Sequence, residues 1–221
     1  MRIRITFSKT GSLRYTGHLD LHKIWERTIR RAGLPLAYTQ GFHPGPKIQL
    51  ASALPLGFAS RAELVDLWLD ESAGPLAMPK PNQLQPAAPP GLTILQVEQV
   101  DERAPALQNL VASAEYQVTL LDPVDPADLQ RKVAGLLAAP SLPRERRGKP
   151  YDLRPLVEAL ELRDCCGQPL PAEGPAPVVQ VAMKLAAREG ATGRPEEVLD
   201  VLGIPLEATR IERTRLEIKF D

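Results

Sequence analysis

The sequence predicts an α+β protein made of two ferredoxin-like halves, each a β-α-β-β-α-β unit with an antiparallel sheet. Two observations carry this. Segments of strict apolar–polar alternation recur along the 221 residues and are separated by segments of helical period. The order strand, helix, strand, strand, helix, strand can be read twice. No transmembrane helix is expected, since no stretch approaches the ~18 uninterrupted apolar residues that span a bilayer. Only 5% of residues are aromatic, so the cores have to be built from Leu, Val, Ile and Ala.

The first strand is residues 2–8, where Ile3, Ile5 and Phe7 alternate with Arg2, Arg4 and Thr6. Lys9 to Gly17 is a turn-rich connection. The first helix runs from His18 to Ala32. Leu21, Ile24, Trp25, Thr28 and Ala32 form its apolar stripe, and Lys23, Arg27, Arg30 and Arg31 lie on the opposite side. Gly33 stops it at C′, with Pro35 beyond. Lys47–Ala53 and Glu63–Leu69 are the next strands. Residues 72–92 hold six prolines, which also fits an interdomain linker; an intradomain loop with one short helix near Pro81–Gln85 is preferred, because strand Leu92–Val100 then completes the unit. The second half repeats the order: strand Ala114–Leu121, helix Pro126–Ala138, a helical or mixed segment Leu153–Leu160, strand Val178–Ala187, helix Arg194–Leu202 opened by Pro195, and strand Thr209–Phe220. The expected domains are residues 1–100, a connector 101–113, and residues 114–221.

The net charge of zero hides a split. Residues 1–49 carry nine basic side chains against two acidic ones, an excess of seven that the rest of the chain cancels. Such asymmetry points to an anionic partner, or to a solvated face balanced by acidic neighbours once folded. All three histidines, His18, His22 and His43, lie in this region. His18 and His22 share a helical face, and with His43 from the following loop they would make three ligands for a divalent metal; alternatively His18 and His22 are both structural. The run Gln40-Gly41-Phe42-His43-Pro44-Gly45-Pro46-Lys47 mixes glycines, which admit close backbone approach, with prolines, which fix shape. Lys47 and His43 there suit a phosphate, and Tyr38 or Phe42 a base; the alternative is a rigid strand connection with Phe42 in the core. Arg144, Arg146, Arg147 and Lys149 form a second basic cluster around Gly148, read as a flexible loop suited to phosphate contact or as an ordinary solvated loop.

Catalysis finds less support. His18, His22, His43, Tyr15, Tyr38 and Lys47 include residue types that cleave RNA by general acid–base chemistry. No nucleophile elbow, phosphate-cradling loop or dinucleotide fingerprint is present. Asp20-Leu21-His22 begins a cobalamin-binding Asp-x-His-x-x-Gly pattern, but Trp25 occupies the glycine position. Cys165 and Cys166 are adjacent and alone, so they supply neither a disulfide framework nor the three closely spaced ligands of a radical S-adenosylmethionine cluster.

Several runs resemble the radical SAM-associated DUF2344 family. They are Phe7-Ser8-Lys9-Thr10-Gly11, His18-Leu19-Asp20, Glu26-Arg27-x-x-Arg30-Arg31-Ala32-Gly33-Leu34-Pro35, Tyr38-Thr39-Gln40-Gly41-Phe42, Pro44-x-Pro46-Lys47, Leu54-Pro55-Leu56-Gly57 and Glu63-x-x-Asp66. The likeness continues through Pro90-Gly91-Leu92, Asp152-Leu153-Arg154-Pro155 and Arg194-Pro195-Glu196-Glu197-Val198-Leu199. It implies a bacterial protein encoded beside, or fused to, a B12-binding radical SAM protein, often near ribosomal-protein and ribonuclease genes. The family loop commonly reads Gly-Phe-Asn-Pro-His-Pro-Lys; here His43 replaces the Asn and Gly45 the His. That departure favours binding over metal or nuclease chemistry.

The expectation is therefore a cytoplasmic accessory protein with no cofactor, no membrane partner and no DNA partner. It would bind structured RNA for a radical SAM enzyme through Lys9, Arg14, Lys23, Arg27, Arg30, Arg31, Tyr38, Phe42, His43, Lys47, Arg144, Arg146, Arg147 and Lys149. A protein–protein adaptor without RNA contact, and a ribonuclease or metal enzyme using His18, His22 and His43, are the alternatives.

Overall fold

The computed structural model describes residues 1–164 and 179–219. Cys165, Cys166, Val178 and Phe220 therefore lie outside the described residues. The protein is a mixed α/β chain with a large sheet. It divides into two compact units, Met1–Val111 with Ile218–Asp221, and Ala112–Glu217.

In the first unit, β1 (Arg2–Lys9) leads to α1 (His18–Arg31), β2 (Ile48–Leu50), β3 (Ala59–Trp68), α2 (Pro81–Leu84), β4 (Leu92–Val100) and α3 (Leu107–Leu110). The strand order is β4-β1-β3-β2, with antiparallel pairing at each step. Alternation does the sorting here. Ile3, Ile5 and Phe7 of β1 join Val65 and Leu67 of β3 in one core, which α1 closes with Leu21, Trp25 and Ile29. Phe7 meets Trp25 edge to face, centroids 4.9 Å apart, an arrangement favoured by the ring quadrupoles. Gly33 ends α1 as expected. With φ of +70° it lets Gly33 N donate to Arg30 O and Leu34 N to Ile29 O, the paired bonds that satisfy the last carbonyls of a helix.

The other face of β1 holds a feature the sequence concealed. Arg4 stands directly across from Asp66, and Arg2 across from Trp68. Asp66 is fully buried and accepts from both arginines: Arg2 Nε and NH2 at 3.0 and 2.7 Å, Arg4 Nε and NH2 at 2.8 and 3.0 Å. Arg2 also donates to Ala104 O at 2.6 Å and Pro105 O at 2.8 Å, and lies 4.8 Å over the Trp68 ring. Lys9 is buried as well, its Nζ donating to Thr16 O at 2.9 Å. Three of the nine cations behind the basic excess are thus internal. Charge counted along a sequence cannot distinguish an inward arginine from an outward one.

The second unit contains β5 (Val111–Leu120), α4 (Pro126–Ala138), β6 (Pro143–Arg146), β7 (Lys149–Asp152), β8 (Val157–Arg163), β9 (Gln180–Arg188), β10 (Ala191–Thr192), α5 (Pro195–Leu202) and β11 (Thr209–Ile218). Its strands run β10-β9-β5-β11, with β8 also on β9. Asp125 caps α4 by accepting from Ala127 N at 3.0 Å, with Pro126 at the first turn. Leu129, Val133 and Leu136 of α4, with Val198, Leu199 and Leu202 of α5, are buried.

The segment Leu153–Leu160, expected to be helical or mixed, is mixed: a short 3-10 turn, Arg154–Leu156, feeds strand β8. Its apolar residues Val157, Leu160 and Leu162 are all buried, and pairing with β9 overrides the weak local preference. Two expectations need correction. The basic cluster around Gly148 is not an open loop but the β6–β7 hairpin, turned through Arg147 (φ +53°) and Gly148 (φ +73°), the two positive φ values of a tight two-residue turn. Finally, the sheet is mixed rather than antiparallel. Alternation tells which side chains face the core, but it is blind to the direction in which a neighbouring strand runs.

Candidate functional site

The first unit concentrates the exposed candidates. On α1, burial of Leu21, Trp25, Thr28 and Ile29 turns Lys23, Arg27, Arg30 and Arg31 outward, and all four are exposed. Leu21, Trp25 and Thr28 belong to the stripe expected from the helical period; Ile29, four residues beyond Trp25, falls on the same face, though the expected stripe omits it. Glu26, an acid within this basic face, sits 3.9 Å from Arg30 NH1. Its Oε1 is also 3.5 Å from the Tyr38 hydroxyl, which joins the helix to the loop that follows.

That loop is a braced excursion. Tyr38 bridges Pro46 across it. Thr39 N donates to Gly45 O at 2.8 Å, and Gly45 N to Thr39 Oγ1 at 3.0 Å. Lys47 N donates to Ala37 O, and Ala37 N to Trp68 O, tying both arms to the end of β3. Phe42 stands wholly exposed and Tyr38 is 41% exposed, so the alternative of Phe42 as a core residue is overturned. The loop's polar backbone is satisfied by its own arms, which leaves the aromatic outside the core. His43 and Lys47 are exposed too. Beside the loop lies a cavity lined by Tyr38, Gly41, Pro44, Lys47 and Asp70.

The remaining candidates divide. Arg14 is half-buried, its guanidinium 4.7 Å over the Tyr15 ring and bonded to the Tyr15 hydroxyl. Lys9, buried, presents no ammonium at the surface. His18 is held below the usual histidine range, first by desolvation and then by His22, with Glu63 opposing. His18 and His22 are thus neighbours, as their spacing required. Among the described residues, however, no group of three or more His, Cys, Asp or Glu gathers to hold a metal ion, so His43 does not complete a ligand set.

In the second unit, Arg146 is committed to α5. Its guanidinium meets both Glu197 oxygens at 2.9 and 2.7 Å and lies 4.8 Å over the Tyr151 ring. Desolvation works against that charge, but the hydrogen bond and attraction to Glu197 outweigh it and raise the guanidinium's pKa. Arg144 reaches Asp200 at 3.2 Å. Arg147 and Lys149 stay exposed. The acids on α5 are the signal that sequence reasoning passed over: Glu197 and Asp200 form a counter-charge for the hairpin, but pairing across some fifty residues is invisible in a linear charge pattern.

Set against known proteins, residues 2–195 match the family model described as "Uncharacterized protein conserved in bacteria (DUF2344)". No curated protein matches. Among solved structures, a chain in the crystal structure of a Cbf5-Nop10-Gar1 complex is similar at 11% identity and a TM-score of 0.49, over 97% of this chain and 48% of that one. A chain in the crystal structure of the archaeal box H/ACA sRNP Nop10-Cbf5 complex is similar at 12% identity and a TM-score of 0.46, over 99% and 49%. This chain spans about half the length of each. Scores at this level do not establish a shared fold.

Proposed function

This chain belongs to the DUF2344 family, and we propose that it is a cytoplasmic accessory protein that binds structured RNA for a B12-type radical SAM enzyme. The observation that carries the reading is the exposed face of α1, with Lys23, Arg27, Arg30 and Arg31 beside a braced loop that offers Tyr38, Phe42, His43 and Lys47. Cations neutralise phosphates without reading sequence, and exposed aromatics stack on unpaired bases. Arg147 and Lys149 of the hairpin supply a separate contact. In this reading each unit is a ferredoxin-like half, a view supported by the β4-β1-β3-β2 order of the first.

The test is a salt titration of RNA binding. Reversing Arg30 and Arg31 to Glu should weaken binding and lower the slope of log affinity against log salt by about one for each phosphate no longer neutralised. A wild-type protein that binds no RNA, or binds it independently of salt, would overturn the proposal.

One observation favours the adaptor reading instead. Tyr15, Leu19 and Leu56 are large apolar side chains left exposed. A 2.8 Å bond from Gly57 N to Arg14 O draws the loop bearing Leu56 to the turn bearing Tyr15. A complex with the radical SAM protein that survives ribonuclease treatment and is abolished in Leu19→Glu would identify that mode.

A further inference from the structure

We infer that the cavity beside the loop holds one unpaired guanine base, a refinement that rests on the RNA-binding reading. The cavity encloses about 470 Å³ and is lined by Tyr38, Gly41, Pro44, Lys47 and Asp70, among others. Space for a planar ring is therefore present, with an aromatic on its wall. Gly41 lacks a side chain and has open space around it, so a ligand can approach the backbone there.

The choice of base follows from two charges. Lys47 and Asp70 line the same cavity, yet among the described residues neither forms an ion pair. The main chain that carries them is held in place: Lys47 N donates to Ala37 O, and Asp70 N to Pro35 O, both at 2.8 Å. An ammonium only donates hydrogen bonds and an ionised carboxylate only accepts them. Asp70 is kept in that state by the Ser72 backbone N–H and then the Ser72 side chain, which hold its carboxyl below the usual range. One Asp70 oxygen accepts from Ser72 N at 2.9 Å, and the rest of the carboxylate's capacity remains for a ligand.

A ligand edge that satisfies both charges must present donors to Asp70 and an acceptor to Lys47. The Watson–Crick edge of guanine does so, with N1–H and the exocyclic amine side by side and O6 adjoining them. Adenine turns the N1 lone pair toward the carboxylate. Cytosine offers one donor group beside two acceptors, and uracil a single N–H between two carbonyls. Only in an unpaired nucleotide is that edge free, and it is in single-stranded loops and ends that such edges are read. Tyr38 supplies the stacking surface, and the α1 cations hold the flanking phosphates.

The experiment measures anisotropy of labelled single-stranded uridine tracts that carry one guanosine, inosine or adenosine at the same position, at several salt concentrations. Guanosine should bind about tenfold or more tightly than adenosine, the range of one bidentate contact. Inosine, which lacks the exocyclic amine, should fall between them. Asp70→Asn should erase the preference for guanosine while leaving the salt slope unchanged, and Lys47→Met should reduce both. Circular dichroism confirms that the variants fold. Equal affinity for all three tracts, or a guanosine preference that survives in Asp70→Asn, overturns the guanine site while salt-dependent binding keeps the RNA reading intact. Absence of salt-dependent binding to every tract overturns both.

Discussion

Replacing Asp66 by Asn should destabilise the first unit by about 3–5 kcal/mol, the usual cost of removing one partner from a buried ion group. Asp66 is completely buried and accepts four charge-assisted bonds, two from each arginine. The amide is isosteric, but it carries no charge and points its NH2 at guanidinium donors. Arg2 and Arg4, 1% and 4% exposed, would then face one another without a counter-charge. A loss of that size is a large share of the ~5–15 kcal/mol that holds a typical domain together. The chain's two tryptophans, Trp25 and Trp68, both lie in the first unit, so urea unfolding followed by tryptophan fluorescence reports on that unit. The midpoint should fall while the slope stays constant. A companion variant, Arg2→Met with Arg4→Met and Asp66→Leu, should recover most of the loss, since apolar residues of similar volume remove the charges together. A loss below about 1 kcal/mol in Asp66→Asn, or a triple variant less stable than the single one, would refute the reasoning.

Gly91→Ala should cost at least about 2 kcal/mol by the same unfolding assay, because the residue has a φ of +89° and an added Cβ would lie 2.5 Å from Thr10 O; an unchanged midpoint would contradict this. Glu217 is held below the ordinary glutamate range by hydrogen bonds from Lys184 and then Ser113. A depressed folded pKa gives stability that is present above the unfolded value, near ~4.3, and lost as pH falls through the folded one. Unfolding measured from neutral pH downward should therefore show an acid-side loss that is shallower in Glu217→Gln, and identical pH profiles would argue against it.

Much of the fold was legible because its signals are local. The α1 stripe, the Gly33 stop, Pro126 behind its Asp125 cap and the alternation of β1 each act within a few residues. What stayed hidden depends on contacts between distant residues. Arg2 and Arg4 read as surface cations until Asp66, sixty-odd residues away, is placed across from them. The Gly148 turn read as a loose basic loop because Glu197 and Asp200, which neutralise Arg146 and Arg144, follow on a helix fifty residues later. At the candidate site, the residue types of the Tyr38–Lys47 loop were readable, but the exposure of Phe42 was not. An aromatic between glycines and prolines has no period to show which way it faces. Asp70 went unnoticed for the same reason: only the fold brings it to the cavity that Lys47 lines.

The bracing of the Tyr38–Lys47 loop has a thermodynamic consequence for any complex it forms. The Tyr38–Pro46 bridge, the two Thr39–Gly45 bonds and the fixed φ of Pro44 and Pro46 mean that its shape is set during folding. Each residue already ordered spares association roughly 1–2 kcal/mol of backbone entropy. A preorganised loop should thus bind with a small heat-capacity change, lacking the signature of coupled folding. Its on-rate should follow electrostatic encounter and fall with salt, and variants of the loop should differ chiefly in how long the complex lasts.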